Sequence, residues 1–296
     1  MMSALTFATA QLLRVLPRAG ISRVMGKLAE HSWSSPVGRA VVGLYSQAYG
    51  ITLDECTKTD GWSSFDEFFT RTLRDGARPI DPDPRTVVSP ADGRLDSIAR
   101  VDPGRRYLVK GRPYSVDELV GDADEAKRFA GGGGCVVYLS PRDYHRVHAP
   151  VGGVIREIRS LPGDYYPVNA IGMKHVPNLF VRNRRVAIAI DTPPETGLGR
   201  VTVVMVVAIV VGRITVTGID AKDVPLGVHT FDPPLEVKKG DELGIFHLGS
   251  TVVMFLEPSA FGFVAKEGPI LYGQSLSHGS LSPENGATDG VPAIRE

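Results

Sequence analysis

Hydrophobic and polar positions follow different patterns in the two parts of the chain. In the first forty residues, leucine, valine and methionine recur at roughly helical spacing among basic residues. Capping boxes at 52–55 and 64–67 predict two further short helices. From about residue 85, short valine- and isoleucine-rich runs alternate with glycine, proline and aspartate turns, which predicts strands. The longest run, 201–212, is too short to cross a bilayer as a helix, and we interpret it as a buried strand.

A proline-rich segment separates these two patterns. Three prolines within 76–84 interrupt the helical pattern, because each removes a backbone donor and fixes φ. The sequence therefore predicts an α+β protein, with a helical segment at 1–80 and a β-rich, sandwich-like domain at 81–276. A capping box at 115–118 predicts one helix within that domain. We expect the tail at 277–296 to be flexible, because it is poor in hydrophobic residues and rich in Gly, Ser and Pro.

Charge and cysteine content exclude some classes of function. Lys plus Arg and Asp plus Glu both number 33, so the formal net charge is zero and a nucleic-acid partner is not expected. Cys56 and Cys135 lie far apart and match no metal-ligand spacing, so we expect neither a disulfide framework nor a zinc site.

The N-terminal region is basic although the whole chain is neutral. Residues 1–40 contain five Lys and Arg residues against a single acid, Glu30. A basic amphipathic helix of this kind either lies in a membrane interface or packs on its own domain, and the residues alone leave both alternatives open. A signal peptide is not expected, because the first basic residue, Arg14, follows the apolar stretch instead of preceding it.

Polar residues crowd into three segments at predicted turns: 89–93, 140–150 and 246–251. Each has a simple structural explanation as a turn. Two histidines three residues apart could bind a metal, but no acidic or cysteine partner stands at a suitable spacing. Together, however, the segments supply an acid, an imidazole and a hydroxyl, which are the groups that activate a serine. A nucleophile elbow of the G-x-S-x-G type is not indicated, because position 252 is Val.

Four segments, in order, resemble those of the bacterial phosphatidylserine decarboxylase proenzymes, which depend on a pyruvoyl group. They are Ser-Pro-Ala-Asp-Gly at 89–93, the run at 140–150, Val-Pro-Asn-Leu-Phe at 176–180 and Leu-Gly-Ser-Thr at 248–251. The similarity extends from about residue 45 to 265, and the histidine segment is its most specific part. The resemblance implies that the β-rich domain is catalytic and that the chain is processed into two chains.

The resemblance also implies how the chain is cut. Ser250 Oγ would attack the carbonyl of Gly249, with His148 as the base and Asp92 orienting it. Glycine before the serine leaves that carbonyl uncrowded and tolerates a strained backbone. The ester would break by β-elimination, and Ser250 would become an N-terminal pyruvoyl group. The two fragments would form a heterodimer, which could dimerise further.

The same resemblance implies that the pyruvoyl carbonyl condenses with the amine of phosphatidylserine and withdraws electrons as carbon dioxide leaves, giving phosphatidylethanolamine. A general acid is needed, and we assign this role to His145, with His247 as the alternative. The lipid substrate favours peripheral docking on the cytoplasmic side of the cell membrane. Related sequences usually carry an acid where this chain has Arg184, whose positive charge could contact a phosphate.

Two other functions remain open from the sequence. A pyruvoyl decarboxylase of a soluble amino acid would keep the cleavage at Gly249–Ser250 but would need no membrane segment. A non-enzymatic module is the second alternative, because segments 149–154 and 237–244 look like the paired hairpins of biotinyl and lipoyl carrier domains. No Met-Lys-Met or Asp-Lys-Ala carrier lysine lies at a predicted hairpin tip, and such a module would remain one intact chain.

Overall fold

The computed structural model describes residues 18–209 and 213–279. Three α-helices precede the β-rich part of the chain, and four short ones lie within it in the described ranges. They are α1 (Arg18–Glu30), α2 (Ser35–Tyr49), α3 (Phe65–Phe69), α4 (Val116–Val120), α5 (Ala123–Arg128), α6 (Ala170–His175) and α7 (Leu179–Arg182).

Strands make up most of the remaining structure. They are β1 (Thr86–Val88), β2 (Gly93–Arg100), β3 (Arg106–Val109), β4 (Arg112–Ser115), β5 (Gly133–Leu139), β6 (Arg146–His148), β7 (Gly153–Leu161), β8 (Arg185–Asp191), β9 (Arg200–Val207), β10 (Ile214–Val216), β11 (Gly227–Val237), β12 (Glu242–Phe246), β13 (Ser250–Leu256), β14 (Gly268–Ile270) and β15 (Ser275–His278). Eight of them form an antiparallel sheet in the order β11-β7-β8-β9-β13-β5-β2-β14. The central strands β8, β9, β13 and β5 are buried almost throughout, which explains their continuous apolar sequence.

A second sheet of three strands, in the order β10-β12-β6, covers part of the large sheet. Gly244 of β12 lies so close to β9 that a Cβ at this position would be 3.2 Å from the sulfur of Met205. The other paired strands of the described residues form two short pairs, β1 with β15 and β3 with β4. The predicted α+β class, with helices ahead of a layered β domain, is confirmed.

Local predictions along the chain had different outcomes. The capping boxes at 64–67 and 115–118 are confirmed, since Ser64 and Ser115 each accept a hydrogen bond from the N–H three residues later. The helix predicted at 52–55 is wrong, because this segment forms only a turn. Strand β15 extends to His278, two residues into the predicted tail, and residues 280–296 lie outside the described ranges, so the flexibility of the tail stays a prediction.

The N-terminal helices leave apolar side chains uncovered. Helices α1 and α2 both contact α3. Val24 and Leu28 of α1 are nevertheless 57% and 61% exposed, and Leu44 of α2 is 69% exposed. None of the helices in the described ranges is both long enough and apolar enough to cross a bilayer.

Candidate active site

Ser250 is the first residue of β13 and lies in the middle of the large sheet. It pairs with Leu139 of β5 on one side and with Val207 of β9 on the other. Its side chain is buried, and Oγ has no hydrogen-bond partner in the described part of the chain. An unsatisfied buried hydroxyl costs about 1–3 kcal/mol, so the rest of the fold must offset this cost to keep the Ser250 hydroxyl without a partner.

The turn that leads into Ser250 has a strained backbone. Leu248 has a φ of 106°, a conformation that residues with a Cβ rarely adopt and that costs about 1–3 kcal/mol. At Gly249, an added Cβ would meet no neighbouring atom within 4 Å, so the space beside this residue is open. The peptide bond between Gly249 and Ser250 thus follows a strained residue, lies beside open space and is adjacent to a hydroxyl without a hydrogen-bond partner.

His145 is fully buried and has one unengaged ring nitrogen. Its Nδ1 lies 2.8 Å from the carbonyl oxygen of Asp143, and because a carbonyl only accepts, Nδ1 carries the proton. Its Nε2 has no hydrogen-bond partner among the described residues. Burial lowers the pKa of His145 to about 3, so the ring is neutral at physiological pH. The ring of Phe69 packs against it at 4.1 Å between centroids.

His148 has both ring nitrogens engaged. Nδ1 donates to the carbonyl of Gly240 at 2.8 Å, and Nε2 lies 3.3 Å from the hydroxyl of Tyr144. Its ring stacks on that of Tyr272 at 4.0 Å. Burial lowers the pKa of His148, although the Gly240 carbonyl and nearby carboxylates oppose this shift. The ring is therefore held as a neutral imidazole in a fixed orientation.

The carboxylate of Asp92 is bound by a buried arginine. Arg78 donates to it from Nη2 at 2.7 Å and from Nε at 3.1 Å. The backbone N–H of Tyr272 also donates to Asp92, at 2.9 Å. Tyr272 therefore connects Asp92, through its backbone, with His148, through its ring.

The structure brings only part of the predicted constellation together. Asp92 and His148 share Tyr272 as a neighbour, but within 18–209 and 213–279 no hydrogen bond joins their side chains, and none joins His148 to Ser250. The relay from Asp92 through His148 to Ser250 stays a prediction. Among the described residues, no group of three His, Cys, Asp or Glu side chains could hold a metal ion.

An apolar cavity of about 500 Å³ opens beside the turn before Ser250. Leu248 and Gly249 line one side of it, and residues of α1, α2 and α3 line the other. Phe69 is part of this wall and also packs on His145. The N-terminal helices therefore line a space that reaches the predicted cleavage site, and one of its lining side chains, Phe69, contacts His145.

Two further residues considered from the sequence are each bound by a carboxylate. His247 Nδ1 lies 2.8 Å from Asp66 Oδ1. Arg184 donates from Nη1 to Asp223 at 2.7 Å and from Nη2 to a backbone carbonyl. The positive charge of Arg184 is thus paired within the protein, which weakens the expectation that it contacts a phosphate.

A comparison with protein-family models decides the family. The model described as phosphatidylserine decarboxylase matches residues 65–278, from the first residue of α3 to the last residue of β15. The chain belongs to the phosphatidylserine decarboxylase family. The match includes Asp92, His145, His148 and Ser250, whereas α1 and α2 precede it.

Curated relatives from this family cover most of the chain. A phosphatidylserine decarboxylase proenzyme of Anaeromyxobacter sp. (strain K) is 41% identical over 252 residues, covering 83% of this chain and 88% of the relative. The proenzyme of Myxococcus xanthus is 39% identical over 257 residues, with 84% and 89% covered. That of Acinetobacter baumannii (strain SDF) is 37% identical over 270 residues, with 89% and 93% covered.

Three residues that contact the candidate site residues were not predicted from the sequence. Arg78 lies in the proline-rich segment that we treated only as a boundary, yet it binds Asp92. Tyr272 and Asp66 contact His148 and His247 over more than a hundred intervening residues. No spacing or motif in the sequence connects these pairs, because only the packing of distant segments brings them into contact.

Proposed function

We propose that this chain is a phosphatidylserine decarboxylase proenzyme that cuts itself between Gly249 and Ser250 and then converts phosphatidylserine to phosphatidylethanolamine. The observation that carries the proposal is the buried, unpartnered hydroxyl of Ser250 directly after the strained Leu248. Family membership supports it, since relatives that match most of the chain are named proenzymes of this activity.

In the proposed cleavage, Ser250 Oγ attacks the carbonyl carbon of Gly249 and breaks the bond from that carbon to the Ser250 nitrogen. The resulting ester undergoes β-elimination, which leaves Gly249 with a new carboxylate and Ser250 as a dehydrated residue. Hydrolysis of that residue releases ammonia and leaves a carbonyl. His148 takes the hydroxyl proton and Asp92 orients the His148 ring through Tyr272, which contacts both residues. This step requires His148 Nε2 to exchange the Tyr144 hydroxyl for that of Ser250.

The covalent pyruvoyl group formed from Ser250 would supply the electron sink for the loss of carbon dioxide. The position fits such a group, because Oγ is free of partners and the apolar cavity lies next to Gly249. We assign the proton donor to His145. Its ring is neutral in the uncut chain, and the negative charge of the substrate's carboxylate and phosphate would favour the protonated form.

The position of the cavity supports a lipid substrate. Its walls include the N-terminal helices, whose Val24 and Leu28 are exposed. We propose that these helices dock peripherally on the cytoplasmic side of the cell membrane. After cleavage the fragments would remain a heterodimer, because β13 is hydrogen-bonded between β5 and β9 of the other fragment.

The intact mass of the purified protein tests the proposal. We expect two fragments, one ending at Gly249 and one beginning at residue 250 whose N-terminus resists Edman sequencing because it lacks an amine. Ser250→Ala and His148→Ala should leave one chain. His145→Ala should permit cutting but abolish decarboxylation. A cleaved His148→Ala protein would overturn the assignment of the base.

Assays with different substrates separate the remaining alternatives. We expect the cleaved protein to release carbon dioxide from phosphatidylserine vesicles. Cleaved protein that is active only on a soluble amino acid would instead indicate the other class of pyruvoyl decarboxylase. An unaltered chain that never cuts would favour the carrier-like module and contradict our proposal.

A further inference from the structure

A cluster of charged side chains joins the N-terminal helices to the turn before Ser250. Asp66 of α3 lies at its centre, where it accepts hydrogen bonds from His247 Nδ1 at 2.8 Å and from Arg213 Nη2 at 2.9 Å. Arg213 also forms an ion pair with Glu30, the last residue of α1. The side chains of Asp66, Arg213 and His247 are only 14%, 13% and 10% exposed, so water screens these contacts weakly.

Both ring nitrogens and the backbone N–H of His247 are engaged. A carboxylate only accepts, so Nδ1 carries the proton that binds Asp66, and Nε2 is left to accept from the hydroxyl of Thr215 at 3.3 Å. The backbone N–H of His247 donates to the carbonyl of Arg213 at 3.1 Å. The residue directly before Leu248 is therefore fixed through its backbone and through both ring nitrogens.

The strained turn has to be held from both ends. A non-glycine residue keeps a positive φ only where its surroundings determine it, and Leu248 has a φ of 106°. On the C-terminal side, Ser250 is held by pairing with two strands. On the N-terminal side, β12 ends at Phe246, and His247 is the residue between that strand and the turn. The contacts of His247 therefore hold the N-terminal side of the turn, as the strand pairing of Ser250 holds the C-terminal side.

We propose that Asp66 and His247 form a positioning pair that holds the turn at Leu248 and Gly249 in the geometry needed for self-cleavage. The inference rests on the proposed cleavage between Gly249 and Ser250. The pair acts through the backbone of the turn and takes no proton from the serine. Because Asp66 belongs to α3, the pair makes cleavage depend on the packing of α3 against the β domain. Helix α3 also forms part of the cavity wall.

The rate of self-cleavage in matched variants of the full chain tests this role. We expect His247→Ala and Asp66→Ala to slow cleavage at least about tenfold, because small displacements of reacting groups can cost up to about a hundredfold in rate. His247→Asn should restore most of the rate, since its side-chain amide can donate to Asp66 from the place of Nδ1. Asp60→Ala, which removes only an exposed ion pair with Arg39, should cut at the unaltered rate.

Unfolding measurements separate positioning from general stability. Each substitution is repeated in uncut Ser250→Ala protein, and its urea midpoint is compared with the cleavage rate. A slow His247→Asn variant, or rates that simply follow the midpoints across all variants including Asp60→Ala, would overturn the proposal. A His247→Ala chain that cuts at the unaltered rate would do the same. An unaltered chain that never cuts would instead refute the proposed function.

Discussion

Single residues around the turn differ in what their ring nitrogens can do. His148 and His247 have both nitrogens engaged, whereas the Nε2 of His145 has no partner among the described residues. Desolvation keeps His145 neutral, since burial disfavours the charged form of an imidazole. Because protonating this buried ring is unfavourable, the free energy of unfolding of the uncut protein should depend on pH.

The pH dependence of unfolding should reveal the buried His145. Its pKa is lowered to about 3 in the folded chain, whereas the pKa of an unfolded histidine is about 6.5. Between these two pKa values, the unfolded state therefore binds a proton at His145 more readily than the folded state does. The stabilisation is complete above about pH 6.5 and is lost as the pH falls toward about 3, by up to about 1.4 kcal/mol per pH unit.

Urea unfolding of uncut Ser250→Ala protein at a series of pH values measures this effect. In a second protein that also carries His145→Asn, the amide can still donate to the Asp143 carbonyl but does not titrate. We expect its free energy of unfolding to fall less steeply between about pH 6 and 4. Parallel curves for the two proteins would show that His145 is not held in the neutral form.

At the level of elements, the short helix α3 depends on its N-cap. Ser64 Oγ accepts from the Glu67 N–H at 3.1 Å, and Glu67 Oε2 accepts from the Ser63 N–H at 2.6 Å. We expect Ser64→Ala to lower the free energy of unfolding of uncut protein by about 1 kcal/mol, measured with urea. Ser64→Thr keeps a hydroxyl and serves as the control. An equal loss in the Thr variant would argue against the cap as the cause.

Comparing two capping boxes shows how far local sequence determines an element. The box at 64–67 is followed by apolar residues that pack inward, and the helix forms. The box at 52–55 fails because the next residue, Cys56, forms a β-bridge with Leu73, which draws the chain into an extended path. A tertiary contact, which the sequence alone does not reveal, thus overrides the local helix signal.

The same distinction applies to the site. Residue types in three turn segments supply an acid, an imidazole and a hydroxyl, and the family resemblance selects Asp92, His148 and Ser250 among them, in roles that stay predictions. The strand pattern predicts the β-rich domain that holds Ser250. The partners of these residues could not be predicted, because Arg78 and Tyr272 reach the site through packing between distant segments. Nor does any sequence pattern predict the positive φ of Leu248, which the fold imposes.

For the whole molecule, the question is how a lipid headgroup reaches a buried serine. The cavity beside Gly249 is walled by α1, α2 and α3, and the exposed apolar residues Val24, Leu28 and Leu44 lie on two of these helices. A helix that pairs such residues with basic ones can rest in the membrane interface. Docking through these helices would bring the cavity to the lipid surface while the β domain stays in water.

Vesicle binding by the full chain tests this arrangement. We expect Leu28→Glu to weaken co-sedimentation with phosphatidylserine vesicles about tenfold, because burying a leucine is worth roughly 1.5–3 kcal/mol and a carboxylate is repelled by anionic lipid. The control is Leu226→Glu, which places the same charge at a residue 58% exposed on the β domain. Equal weakening in both variants would indicate a general charge effect. Because Leu28 is 61% exposed, its replacement removes little packing within the protein. Unchanged binding in Leu28→Glu would therefore show that α1 does not insert into the membrane.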